Sequence, residues 1–153
     1  MSQTSLLAQG SRMPEFSKVD HNGQPVSTDL LKGKKTVIYF YPKNMTPGCT
    51  AQACNIRDNY ELLLKNNYQV IGVSPDNNAS HRKFAAKHNL PFPLIADEDK
   101  SLAKSFGVWG RKKFMGREYD GINRTTFVMD EEGIITEVIS KVNTKDHTAQ
   151  IVK

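Results

Sequence analysis

The segment Lys35 to Tyr41, KTVIYFY, is apolar on both of its alternating faces after the first residues. A strand buried on both faces belongs in the interior of a parallel sheet, with helices on each side. Pro42 cannot donate to a ladder and ends the strand. Thr46 is then a good N-cap and Pro47 suits a first helical position. The start of the chain's central unit is therefore strand, short loop, helix.

The rest of the pattern extends that unit. Cys49, Ala53, Ile56, Tyr60 and Leu63 recur at helical spacing and form one apolar stripe, which Asn66 and Asn67 end. Tyr68 to Val73 reads as a second strand. Asn78 to Asn89 reads as a helix with Phe84, Ala85 and His88 inward. Leu94 to Ala96 is a short strand, and Lys100 to Phe106 a short helix stopped by Gly107. Arg124 to Met129 and Ile134 to Lys141 flank Asp130-Glu131-Glu132-Gly133 as a hairpin. A last helix is expected from Thr144 or Lys145, short or cut at Lys153. Trp109 reads as loop packing or a pocket wall. This order argues for an α/β sandwich with a mixed sheet.

Composition narrows the class. The chain has 153 residues, expected as one domain, 1–153, with 38% hydrophobic and 24% charged residues. No apolar run approaches the roughly 20 residues of a membrane span. Met1 to Pro14 lacks the basic and apolar regions of a secretory signal, so a cytoplasmic protein is expected. The net charge is +5 from 21 basic and 16 acidic side chains. The basic residues are scattered, with short clusters at Lys32 to Lys35 and Arg111 to Lys113. No aromatic residues interleave with them, so solvated loops are expected rather than nucleic-acid binding.

The chain has two cysteines, Cys49 and Cys54. That is too few for a secreted disulfide scaffold and points to redox, catalytic or metal chemistry in a reducing compartment. Cys49 falls in the first turn of its helix. Unpaired N–H groups and the positive end of the helix dipole stabilise negative charge on sulfur there. The C-terminal end of a parallel strand is also the usual place for chemistry in α/β folds. Cys54 points about 140° round the helix axis, with its Cα roughly 8–9 Å from that of Cys49. A disulfide needs about 7 Å or less, so the pair cannot bond while the helix is intact. The residues alone leave three readings open: a redox thiol, a small buried hydrophobe, or a metal ligand. The metal reading is weakest, because His21, His81, His88 and His147 have no ligand-like spacing to the cysteines.

Tyr39 to Tyr60, YFYPKNMTPGCTAQACNIRDNY, resembles the peroxiredoxins, and within them the bacterioferritin-comigratory or PrxQ type. The resemblance extends to Leu7-x-x-Gly10-x-x-x-Pro14-x-Phe16, Val70 to Ser74, Pro93 to Asp97 and Gly121 to Phe127. It implies a thioredoxin-like fold with an N-terminal extension, the Arg124 strand starting beside the Cys49 turn. It implies a peroxidase of hydrogen peroxide and organic hydroperoxides, without cofactor or metal. Cys49 would be the peroxidatic cysteine and Cys54 the resolving one. Thr46 would hydrogen-bond the peroxide and the sulfur, Arg124 would be the active-site arginine, and Pro42 would shield the pocket. Thioredoxin or a similar dithiol would reduce the disulfide, and a monomer is favoured over a dimer. Gln52 stands where many relatives carry Glu, so an amide at best replaces the carboxylate that pairs with the arginine; alone it reads as a plain helix residue. The competing expectations are a thioredoxin-type oxidoreductase, whose usual Cys-x-x-Cys spacing is absent, and a non-catalytic redox-sensing or binding module.

Overall fold

A computed structural model describes residues 6–152. The two ends of the expected 1–153 domain, residues 1–5 and 153, lie outside the described residues. In chain order the elements are β1 (Ser17–Val19), β2 (Pro25–Ser27), α1 (Thr28–Leu31), β3 (Lys35–Phe40), α2 (Pro47–Asp58), α3 (Tyr60–Lys65), β4 (Tyr68–Ser74) and α4 (Asn78–His88). They continue with β5 (Leu94–Ala96), α5 (Ser101–Phe106), β6 (Trp109–Phe114), β7 (Arg117–Ile122), β8 (Thr125–Met129), β9 (Ile135–Ile139) and α6 (His147–Ile151).

The strand that is apolar on both faces is the middle one of five. The sheet runs β5-β4-β3-β8-β9, with β3 parallel to β4, β4 parallel to β5, and β8 antiparallel to both β3 and β9. Alternation divides β3 between two cores. Val37, Tyr39 and Tyr41 pack with Cys49, Ala53, Ile56 and Phe84 on one side. Ile38 and Phe40 pack with Phe106, Phe127 and Ile135 on the other. This is a mixed sheet flanked by helices, the thioredoxin-like architecture.

The N-terminal extension pairs with part of each edge of that sheet. Gly10 N–H donates to the Ile135 carbonyl and Ile135 N–H to the Ser11 carbonyl, which covers the first residue of β9. His21 N–H donates to the Leu94 carbonyl beside β5. Covered edges cannot template pairing with another chain.

Four local expectations need correction. The long stripe helix is broken at Asn59, whose side-chain amide donates to the Asn55 carbonyl at 2.8 Å and competes with the backbone ladder. In α4 the buried residues are His81, Phe84 and Ala85, while His88 is half-buried. His81 is held inside because its ring nitrogens meet Asn44 Nδ2 and the Ile95 carbonyl, both at 3.0 Å. Trp109 opens a strand rather than a loop, since β6 and β7 pair through a turn at Met115-Gly116. Both turn residues have positive φ, 53° and 80°. The last helix starts at His147, later than expected.

Candidate active site

The register of the sheet builds the site. Because β8 runs antiparallel to β3, Thr125 pairs with Phe40, so β8 begins where β3 ends. Arg124 therefore meets the start of α2. Its Nη2 donates to Cys49 Sγ at 3.2 Å, and its Nη1 donates to Gln52 Oε1 at 2.7 Å. One planar guanidinium thus reaches two side chains a helical turn apart, geometry that a point-charge lysine lacks. Gly48 makes room for it: a Cβ added there would lie 3.3 Å from Arg124 Nη2.

Cys49 is 1% exposed and lies on the inward stripe of α2. The first intrahelical bond runs from Thr50 N–H to the Thr46 carbonyl at 2.9 Å. The N–H groups of Gly48 and Cys49 precede it and have no carbonyl within the helix. A thiol here faces a fixed cation, unpaired backbone donors and little water. The cation and the donors can stabilise negative charge that develops on an oxygen beside the sulfur.

Thr46 occupies the N-cap position, but its hydroxyl makes no capping bond. It donates to the Lys43 carbonyl at 2.9 Å instead of bonding a helix N–H or the sulfur. That corrects the expected cap and leaves the oxygen lone pairs free to accept. Pro42 is half-buried between β3 and this turn.

Cys54 lies on another side of α2, and both cysteines are free. Its Sγ is 3.7 Å from His88 Nδ1 on α4. Arg57, three residues on, donates from Nη1 to the His88 carbonyl at 2.7 Å. The two cysteines therefore have different neighbourhoods, one of the sheet and one of α4.

Sequence reasoning missed several features. Asn44 is almost fully buried and anchors the loop before Thr46. Its side chain accepts from Tyr41 Oη at 2.7 Å and donates to Ser80 Oγ at 3.0 Å, while its N–H donates to Asp76 Oδ2 at 2.9 Å. A polar residue in a surface-like loop carries no sequence signal of burial. Gln52 is fully buried, not a plain helix residue, and its Nε2 has no partner among the described residues. Tyr39 is buried on the Cys49 side of the sheet; burial first, then the Cys49 charge, push its phenol far above the ordinary range. It stays neutral and cannot act as an acid or base at ordinary pH. Among the described residues, no cluster of three or more His, Cys, Asp or Glu could hold a metal, and no helix is long and apolar enough to cross a membrane.

Residues 9–138 match the AhpC/TSA family, and the chain belongs to it. Peroxiredoxin Bcp of Bacillus subtilis (strain 168) is 45% identical over 144 residues, covering 94% of this chain and 92% of that one. Among solved structures, PrxQ of Xylella fastidiosa, as a cysteine-to-serine variant, superposes with a TM-score of 0.89 at 27% identity, covering 96% of this chain and 94% of that one. The bacterioferritin comigratory protein of Xanthomonas campestris, described for its alkyl peroxide reduction activity, has a TM-score of 0.83 at 32% identity, covering 89% and 87%. Within the family, these relatives place the chain with the Bcp or PrxQ peroxiredoxins.

Proposed function

We propose that the protein is a cytoplasmic thiol peroxidase that reduces hydrogen peroxide and organic hydroperoxides. The observation that carries this is the Arg124 fork, which bonds Cys49 Sγ and Gln52 in a buried site at a helix start. The Cys49 thiolate attacks one peroxide oxygen and the other leaves as hydroxide or alkoxide. Negative charge spreads over sulfur and two oxygens in the transition state. Arg124 and the N–H groups at the start of α2 stabilise it without reorganising. Thr46, its proton held by the Lys43 carbonyl, accepts a hydrogen bond from the peroxide and orients the O–O bond. Pro42 limits water at the mouth. The product is a sulfenic acid at Cys49.

Cys54 then attacks that sulfenic sulfur, giving a disulfide and water, after the first turns of α2 unwind. A dithiol such as thioredoxin reduces the disulfide. The chain works as one domain, as a monomer, with neither metal nor cofactor. The test is stopped-flow oxidation of the reduced protein by hydrogen peroxide, followed through Trp109 fluorescence. Removing one donor to a developing oxyanion typically costs 10²–10³ in rate, and Arg124→Ala should lose about that much. A free-thiol rate in the unaltered protein, unmoved by Arg124→Ala, would sink the peroxidase reading.

A further inference from the structure

We infer that His88 is the general base of the second half-reaction, taking the thiol proton of Cys54 when it attacks the oxidised Cys49. The inference rests on the reading of Cys54 as the resolving cysteine. Cys54 Sγ lies 3.7 Å from His88 Nδ1, within hydrogen-bonding reach for sulfur. A thiol is a donor there and a neutral imidazole with its proton on Nε2 is the acceptor.

Three further observations make the contact more than a chance approach. The ring is fixed edge-on against Phe84, with centroids 5.2 Å apart. The His88 backbone is fixed by Arg57 Nη1 on its carbonyl at 2.7 Å. Arg57 shares α2 with Cys54, so the helix grips both ends of the same histidine. The charges facing the ring are also cationic. Partial burial first, then Lys87 on α4 and Arg57 on α2, lower its pKa below the usual histidine value. Asp58, the nearby acid, is already paired with Arg57 at 2.8 Å. His88 is therefore neutral at pH 7 and free to accept.

Cys54 also stays beside it during the step. The next residue, Asn55, is clamped to the C-terminal segment. Its Nδ2 donates to the Lys145 carbonyl at 3.2 Å, and its Oδ1 accepts from Thr148 N–H at 2.8 Å. Unwinding ahead of this clamp moves Cys49 toward Cys54, not Cys54 away from His88. The step balances. The S–H bond of Cys54 breaks and its proton goes to Nδ1. The sulfur electron pair forms the S–S bond, the S–O bond of the sulfenic acid breaks, and the leaving hydroxide becomes water by taking up the proton that His88 received, which returns the imidazole to its neutral form. Cys54 is oxidised and the sulfenic sulfur is reduced.

The test is the full-length reduced protein mixed with hydrogen peroxide, with disulfide formation followed by rapid quench and intact mass. In His88→Asn, whose side-chain oxygen keeps an acceptor without basicity, Cys49 oxidation should be unchanged. Disulfide formation should slow about tenfold at pH 7. The unaltered protein should reach a plateau below pH 7, while His88→Asn should keep rising with pH beyond it. Added imidazole should accelerate His88→Ala and leave the unaltered protein alone. An unchanged rate and pH profile in His88→Asn overturns the inference, as does a slow His88→Ala that imidazole does not rescue. Cys54→Ser separates the two readings: if it still turns over, the resolving role itself falls, and with it this one.

Discussion

Gly48→Ala separates catalysis from stability at a single atom. The new Cβ would lie 3.3 Å from Arg124 Nη2 and 4.0 Å from Thr144 Cγ2. The guanidinium, the flexible end of a long side chain, must give by a few tenths of an ångström. Arg124 Nη2 now stands 3.2 Å from Cys49 Sγ. At an effective dielectric of about 20, unit charges at that distance attract by about 5 kcal/mol, and a retreat of about 0.4 Å removes about 0.6 kcal/mol. That is about threefold in rate, and a bent N–H···S bond adds to it, so oxidation of Cys49 should slow about three- to tenfold. Stability should move the other way or not at all. Gly48 is helical without positive φ, and Ala is favoured over Gly in helices by up to about 1 kcal/mol. Stopped-flow oxidation and urea unfolding of the reduced protein read the two effects separately. A wild-type oxidation rate would show that the Arg124 approach to sulfur does not limit the reaction. A large loss of stability would show that the contact is not with a yielding side chain.

Three further outcomes are expected. In the disulfide form, amides from Cys49 to Asn55 should exchange faster than in the reduced form, because intact helix holds the two Cα atoms roughly 8–9 Å apart; equal protection in both forms would remove the unwinding step. Asn44→Ala should cost about 2–3 kcal/mol in urea, since Tyr41, Ser80 and His81 lose a buried partner; a loss under about 0.5 kcal/mol would mean the loop is held by something else. Burial holds the pKa values of His81 and His147 below the usual 6.5 or so. Above that pH neither folded nor unfolded chain binds these protons. As pH falls below it the unfolded chain takes up protons that the folded chain refuses, so stability is lost by up to about 1.4 kcal/mol per pH unit for each histidine. Urea midpoints between pH 7 and 5 should drop, and His147→Gln should flatten the slope; an unaltered slope would exclude His147 as a source.

What the sequence disclosed follows how each element is stabilised. β3, β4 and the stripe of α2 are legible because each is buried on definite faces, and burial writes itself as periodicity. The β6–β7 hairpin is not, because REYDGI is mostly exposed and neither WGRKKF nor REYDGI alternates apolar with polar residues. Its turn residues are Met115 and Gly116, without the Asn-Gly or Asp-Gly pair that marks such a turn. The extension hairpin escapes notice for the same reason, at three residues per strand. At the site, Cys49 is legible from its place at a helix start, and Arg124 from resemblance only, since no local pattern distinguishes a strand-entry arginine from a solvated one. The depth of Asn44, the burial of Gln52 and the meeting of Cys54 with His88 depend on contacts 30 to 80 residues apart in sequence. No window along the chain contains them.

The two ends of α2 are held unequally, and the proposed chemistry needs that inequality. At the start, Thr46 makes no side-chain cap and no acidic residue complements the dipole in the first turn. The backbone donors left open there are the ones proposed to stabilise charge in the reaction at Cys49, so on that reading capping them better would blunt the site. Past Cys54 the helix is bound from outside, by Thr148 and Lys145 on Asn55 and by Arg57 on His88. Each such bond contributes about 0.5–1.5 kcal/mol net, so opening past the clamp costs several kcal/mol beyond the Arg124 bonds to Cys49 and Gln52 that opening ahead of it already breaks. On the proposed mechanism, oxidation lowers the cost at the open end further, because a sulfenic oxygen adds volume to a buried site and changes the group that Arg124 contacts. On the proposed mechanism, the weakly capped start that favours reaction at Cys49 also lets it leave once oxidised, and the clamp at Asn55 sets where the unwinding stops, beside the thiol proposed to receive it.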